Sequence, residues 1–375
     1  MALPAKKTPS GISILTQNER HFFILCMIFS NTSSSMHQYV LNYSMNKIKH
    51  AGKILRERSA DDESMKILGN WRTSHFYPMQ QIGQVLQKIA TKNDSSAVVT
   101  QRLKRAPAII EKLVRFPEMS LVNMQDIAGC RVIVSDISKL ELITNEIKKE
   151  LPIKKEYDYI KSPKEDGYRS IHLICNFSDE NNPDYKKQVV EIQIRTKIQH
   201  YWATTLETID IIEDTSMKTG HGNEAWMKFF KDVSAAFSDF EKGENKYFFG
   251  LLKNSYATIK KQAQELSLKT KLRSLNRIPI NKENVNESKD ELFILELEYN
   301  KNTNVYNIKI YGYKPTSYLD AAKKYLLSEK NIKQNKNIVF VRAKNLKDLK
   351  IAYPNYHVNA EAFLDLYTKI IGWDH

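Results

Sequence analysis

The chain is most constrained by three short apolar runs, each interrupted by polar residues that a helix-covered strand does not normally carry. Arg131 to Val134 is a β-branched run, and Ser170 to Cys175 and Val189 to Ile194 alternate or run apolar, as strands covered by helices do. Asp126 falls at the lip of the first strand and Glu191 inside the third. Buried strands exclude carboxylates unless these are paired or hold a metal. Between the two carboxylates lies a loop, Tyr157 to Tyr168, dense in lysine, glycine and tyrosine. Two carboxylates facing a basic, glycine-containing loop suit magnesium-assisted chemistry on phosphates.

Around these strands the pattern is helical. Apolar positions from Met36 to Ala90 recur at helical spacing, and Pro78 in Asn70–Met79 opens a second helix there. Arg72 and His75 lie one turn apart and read as capping and interdomain packing groups. Leu140–Leu151 reads as an amphipathic helix on the sheet, and Asn223–Glu241 and Lys246–Leu268 as two long bracing helices. The polar stretch Ser274–Ser288 reads as a linker. Beyond it, Glu291–Asn300 and Asn304–Tyr313 flank a Lys-Asn-Thr-Asn turn as a hairpin, and a helix, a strand and a closing helix at Ala360–Ile371 follow. The expected fold is α+β: a mixed-sheet core flanked by helices, with a small C-terminal α+β domain. The expected divisions are 1–91 (helical segment), 92–215 (core), 216–275 (connecting helices) and 276–375 (C-terminal domain).

A hydrophobic content of 42% supports a sizeable core and excludes general disorder. The net charge of +14 points to a polyanionic partner, nucleotide or RNA. The three cysteines, Cys26, Cys130 and Cys175, have no metal-ligand spacing and suit a reducing compartment, so a cytoplasmic location is expected. The apolar run His21–Ser30 is too short to span a membrane, and no membrane partner is expected.

The segments Asp126–Arg131 (DIAGCR), Gly167–His172 (GYRSIH), and Glu191–Thr196 (EIQIRT) followed by Trp202-Ala203-Thr204 resemble, in order and approximate spacing, the RelA/SpoT nucleotidyl pyrophosphokinase domain. Gln101–Leu113 resembles that family's ATP-binding segment, keeping Arg102, Lys104 and Lys112 but carrying Ala108 where serine is usual. The resemblance implies that 92–215 is a nucleotidyltransferase-like synthetase core and 276–375 a regulatory domain, and that the chain transfers the β,γ-pyrophosphate of ATP to a ribose 3′-hydroxyl, with Mg²⁺ as cofactor. Asp126 and Glu191 would hold the metal, with Glu191 also able to take the hydroxyl proton. Arg102 and Arg131 would sandwich the adenine, because a guanidinium plane stacks well on a base. Lys104, Lys112, Lys161 and Lys164 would face phosphates. Tyr168 would stack on the acceptor base beside Gly167, with Arg169 and His172 flanking it. Gln193 and Arg195 share the face of Glu191 by strand alternation and complete the acceptor side.

The Asn70–His75 segment (NWRTSH), the Trp202–Thr208 segment and the tail containing Tyr353-Pro354-Asn355-Tyr356 resemble the toxic branch of small alarmone synthetases, the fused toxin–antitoxin CapRel type. That resemblance implies pyrophosphorylation of the tRNA CCA end, arrest of translation in phage defence, and a C-terminal domain that binds a phage capsid protein as trigger. The alternative acceptors are GTP, GDP or adenine nucleotides, giving (p)ppGpp or (p)ppApp. A catalytically dead nucleotide-binding module is disfavoured by the intact Asp126, Tyr168 and Glu191. Tyr353 and Tyr356 flank a turn-forming Pro-Asn pair and are expected to lie over the ATP site as an autoinhibitory nucleotide mimic.

Overall fold

The computed structural model describes residues 41–372, apart from residue 60 and the stretches 179–187, 214–216, 218–222, 244–248, 275–279, 301–304, 331–335 and 354–360. Tyr356 and the apolar run His21–Ser30 lie outside the described residues. Three helices come first: α1 (Met45–Arg56), α2 (Asp62–Thr73) and α3 (Phe76–Asn93). Asp61 caps α2 through Ser64 N, and Pro78 sits in the first turn of α3, where its missing N–H leaves no intrahelical bond unmade. The core follows as β1 (Val98–Leu103), α4 (Ala106–Arg115), β2 (Ala128–Val134), α5 (Ile137–Glu150), β3 (Ile153–Asp158), β4 (Ile171–Asn176), β5 (Val189–Thr196) and α6 (Lys197–Ile212). Next come α7 (Glu224–Lys242), α8 (Phe249–Glu265) and α9 (Leu268–Ser274), then β6 (Ile280–Glu283), β7 (Leu292–Asn300), β8 (Val305–Tyr313), α10 (Tyr318–Lys330), β9 (Lys336–Ala343), α11 (Leu346–Ala352) and α12 (Glu361–Ile370).

Among the described residues nine strands form one mixed sheet, in the order β3-β4-β5-β2-β1-β9-β7-β8-β6. The β2/β5 and β6/β8 pairs are parallel and the other pairs antiparallel. The α+β class is therefore as expected. Register explains the two faces of the first five strands in this order. Cys130 and Val132 lie opposite Ile192 and Ile194, and Leu173 opposite Ile192, making an apolar face against which α3 and α5 pack. One residue out of phase, Arg102 lies opposite Gly129, Gly129 opposite Glu191, Arg131 opposite Gln193, and His172 opposite Gln193. Strand alternation thus sends every polar candidate of these strands to the other face.

Several features differ from the sequence expectation. The stretch read as a linker holds β6, and the sheet runs through β1 and β9, which pair at Thr100↔Ala343 and Gln101↔Arg342. The closing helix α12 does not pack on the C-terminal strands. Its Phe363, Tyr367 and Ile370 join Trp202, Trp226, Phe229 and Phe230 in the core between α6, α7 and α9. An amphipathic helix buries its apolar stripe wherever a matching aromatic surface is available, and sequence order does not choose it. The long pattern Lys246–Leu268 is filled by α8, which stops at Glu265, and the chain turns at Ser267, whose φ is +53°, into α9.

Candidate active site

Asp126 stands two residues ahead of β2, where the chain enters the sheet. Its Oδ2 accepts from Lys104 Nζ at 3.0 Å and Lys112 Nζ at 2.8 Å, while its buried Oδ1 has no partner among the described residues. Burial opposes ionisation, but the two ammonium groups outweigh it and hold the carboxyl below its usual range. Lys104 directly follows β1 and Lys112 sits nearly two turns into α4, so strand end and helix deliver both cations to one oxygen.

Glu191 lies on β5, near enough to Asp126 for that carboxylate to oppose its ionisation. Its Oε1 meets His172 Nδ1 at 3.1 Å, and its Oε2 accepts from Gln193 Nε2 at 2.7 Å. Burial would raise this carboxyl, but His172 and Gln193 bring it below its usual range, so it is ionised at neutral pH. The polar chain continues. Arg195 Nη2 donates to Gln193 Oε1 at 2.9 Å, and the Tyr168 hydroxyl lies 2.8 Å from His172 Nε2. Burial works against ionising the Tyr168 phenol, yet Arg195 and His172 bring it down to about 7. The Arg195 guanidinium lies 5.6 Å from the Tyr168 ring centre and Lys164 Nζ lies 4.9 Å from it, so cations already face the predicted stacking surface.

Gly167 supplies a left-handed backbone (φ +92°) where the loop turns back into β4. Arg169 Nη1 donates to Ile160 O at 3.1 Å, closing the base of the loop. Lys161 is different: its side chain is 85% exposed and pairs only loosely with Asp158, at 3.5 Å, so it is not drawn into the cluster of phosphate-facing candidates.

Arg131 is buried. Its Nη1 donates to Ala352 O at 3.1 Å, and its guanidinium lies 5.5 Å from the centre of the Tyr353 ring. Burial, with Arg195 and Arg102 nearby, brings it down to about 10. Arg131 Nε and Arg195 Nε are both buried with no hydrogen-bond partner among the described residues. Beside them His200 Nε2 donates to Ile351 O at 2.7 Å. The end of α11 therefore lies across the polar sheet face, with Tyr353 only 5% exposed.

Several contributors carry no sequence signal. Glu329, on α10, is gripped by Arg72 Nη1 at 2.9 Å and by the Tyr325 hydroxyl at 2.7 Å, and it accepts from Ala106 N at 3.1 Å. Arg72 Nε also donates to Lys104 O at 2.9 Å. Arg105, the residue before α4, donates to Asn337 of β9. Arg72 thus ties α2 to α10, and its partner Glu329 sits at the first turn of the helix that carries Lys112. His200 and Ser234, described below, lie on helix faces that read from sequence as core.

A carboxylate oxygen left without a donor inside a cluster of lysines matches the donor set of a magnesium ion. That ion takes one or two protein carboxylates and completes its shell with water and substrate phosphate oxygens. Asp126 and Glu191 fit such a group.

Residues 101–209 match the model of the region found in RelA / SpoT proteins. The GTP pyrophosphokinase YjbM of Bacillus subtilis (strain 168) is 30% identical over 168 residues, which span 40% of this chain and 80% of that protein. The GTP pyrophosphokinase YwaC of the same organism is 40% identical over 112 residues, spanning 28% of this chain and 52% of that one. The crystal structure of the small alarmone synthetase 1 from Bacillus subtilis, bound to its product pppGpp, aligns with 48% of this chain and 96% of its own at 25% identity, with a TM-score of 0.41. Among the described residues no helix is long and apolar enough to cross a membrane. With the matched region covering β1 through α6, and four-fifths of a pyrophosphokinase aligned at 30% identity, the chain belongs to the RelA/SpoT family of pyrophosphotransferase enzymes.

Proposed function

We propose that the chain transfers the β,γ-pyrophosphate of ATP to the 3′-hydroxyl at the CCA end of tRNA. We propose further that it acts as a phage-defence toxin held inactive by its own C-terminal segment until a phage capsid protein binds there. The observation that carries the chemistry is the Asp126 carboxylate, with one oxygen held by Lys104 and Lys112 and the other unpartnered, beside the ionised Glu191. Asp126 and Glu191 would hold Mg²⁺, whose charge would offset that of the transferring phosphates. Lys104 and Lys112 exchange their carboxylate contact for phosphate oxygens when ATP enters. Glu191 accepts the proton of the acceptor hydroxyl as O3′ bonds to the β-phosphorus. The bond from the β-phosphorus to the bridging oxygen breaks, and that oxygen leaves on AMP. Arg195 and Tyr168 bound the acceptor side, and Arg102 and Arg131 the adenine side.

The inhibitory part of the reading is supported by the Tyr353 ring and the Ala352 carbonyl lying on Arg131, where the adenine would stack. A ligand that binds the open form better shifts the population away from this contact. A second reading, synthesis of a guanosine alarmone, is favoured by the similarity to two GTP pyrophosphokinases. To separate them, the intact chain and its Tyr353→Ala, Tyr356→Ala variant are incubated with γ-labelled ATP and either bulk tRNA or GTP. Label on the tRNA 3′ end supports the first reading. Label on GTP alone replaces it with the second, and label on neither removes both.

A further inference from the structure

Helix α7 lies beyond the matched family region, and half of its buried residues are aromatic: Trp226, Phe229, Phe230 and Phe237 are almost fully buried. Yet Ser234 and Ser238 on the same helix are also buried, and the next turn carries Glu241. Their spacing of four and three residues places these polar groups in one stripe. Polar side chains cost free energy in such a core unless they are bonded, so their partners are informative. Ser234 Oγ donates to Gly167 O at 2.5 Å and accepts from Arg169 Nε at 3.2 Å. Glu241 accepts from Gln199 Nε2 at 3.1 Å and from the Thr196 hydroxyl, the capping box through which β5 enters α6. The packing at Gly167 is as tight as the bonding. A Cβ built there would come within 3.0 Å of Ser234 Cβ and 3.1 Å of Lys231 Cα, and within 3.4 Å of the Trp202 ring. The polar stripe of α7 therefore touches both the Gly167–Arg169 corner and the residues directly after Arg195.

We propose that Ser234 is a positioning residue for the acceptor: α7, through Ser234, sets the Gly167–Arg169 corner so that Tyr168 faces His172 and Arg195. This rests on the reading that Tyr168 stacks on the acceptor base. One hydroxyl satisfies the carbonyl of Gly167 and the guanidinium of Arg169 together, so the residues on both sides of Tyr168 are tied to one atom. The ATP-side groups Lys104, Lys112 and Arg131 make no contact with this stripe in the described structure.

The test uses Ser234→Ala, which nearly conserves volume, and Gly167→Ala, which forces the same corner away from α7. Amide hydrogen exchange is measured on the intact chain. Steady-state transfer from γ-labelled ATP to bulk tRNA and to GTP is measured in the full-length Tyr353→Ala, Tyr356→Ala background. We expect Ser234→Ala to speed exchange of the 160–168 amides by several-fold to about tenfold, the size of one lost buried hydrogen bond, with β4 and β5 unchanged. The acceptor KM should rise by a similar factor while the KM for ATP stays constant, and Gly167→Ala should show the same split more strongly. Unchanged exchange in the loop, or equal rises in the two KM values, overturns the proposal. If the background chain labels neither acceptor, the pyrophosphotransfer reading has failed instead, and the exchange measurement alone decides whether Ser234 holds the loop.

Discussion

Replacing Glu329 with glutamine should loosen the C-terminal segment and raise basal transfer. The carboxylate joins Arg72, Tyr325 and the first N–H of α4, and the Arg72 and Glu329 side chains are only 7% and 8% exposed. The amide keeps an acceptor for Ala106 N and the Tyr325 hydroxyl, so the substitution removes charge more than shape. It leaves the Arg72 guanidinium buried with no counter-ion. Breaking one side of a buried pair costs roughly 3–5 kcal/mol, or on the order of 10²- to 10⁴-fold in an equilibrium. If α10 and β9 separate from α2 and α4 as a unit, the opening reaction carries that change. Two assays report it: the urea midpoint of the purified variant, and transfer of γ label from ATP to tRNA or GTP without trigger. The account expects a lower midpoint together with higher basal transfer. An Arg72→Met, Glu329→Leu double variant, with no buried charge left, should recover most of the midpoint. A Glu329→Gln chain as stable as wild type and no more active would refute the reasoning.

Other expectations follow from the same geometry, with rates measured in the Tyr353→Ala, Tyr356→Ala background. Asp126→Asn or Glu191→Gln should lower transfer on the order of 10²-fold or more while leaving a cooperative thermal transition; a near-normal rate in either would remove that residue from the chemistry. Tyr168→Ala should weaken acceptor use by roughly 1–3 kcal/mol and leave the KM for ATP unchanged; a parallel loss of ATP affinity would show that the ring does not serve the acceptor. Lys161→Ala should change neither KM by more than about twofold, because its solvated ammonium group makes only an exposed pair with Asp158; a large rise in the KM for ATP would contradict this placement. Burial would raise the Glu329 carboxyl, but Arg72 and Tyr325 hold it below its ordinary 4.5. Its stabilisation is therefore complete above that value and is lost as pH falls through the lower folded value. The midpoint difference between wild type and Glu329→Gln should accordingly shrink in acid, and a difference that grows there would refute the sign.

Strand alternation made the polar face legible. Glu191, Gln193 and Arg195 share a face by spacing alone, and a carboxylate in an apolar run calls for a partner or a metal. The segment opened by Pro78 and the amphipathic pattern of α5 were readable for equally local reasons. What could not be read was which distant surfaces meet. The β1–β9 pairing joins two edges through backbone bonds, which leave no side-chain pattern. The docking of α12 onto α6 and α7 satisfies the same amphipathic stripe that would have served on its own sheet. Glu329 and Ser234 were invisible because their partners, Arg72 and Gly167, are far away in sequence and neither residue breaks its helix pattern. Arg131 shows the mixed case. Its place beside the adenine position was implied by resemblance, whereas its bond to the Ala352 carbonyl depends on where α11 ends.

The most direct measurement is the initial rate of label transfer from γ-labelled ATP, with tRNA and GTP both supplied, by the intact chain and by its Tyr353→Ala, Tyr356→Ala variant in the absence of any trigger. Removing the Tyr353 ring forfeits a buried cation–π contact of roughly 0.5–2 kcal/mol together with the packing of the ring itself. The account predicts a near-silent intact chain and a folded variant at least about tenfold faster. Equal rates from two folded proteins, whether both fast or both silent, would contradict the claim that this tail closes the site.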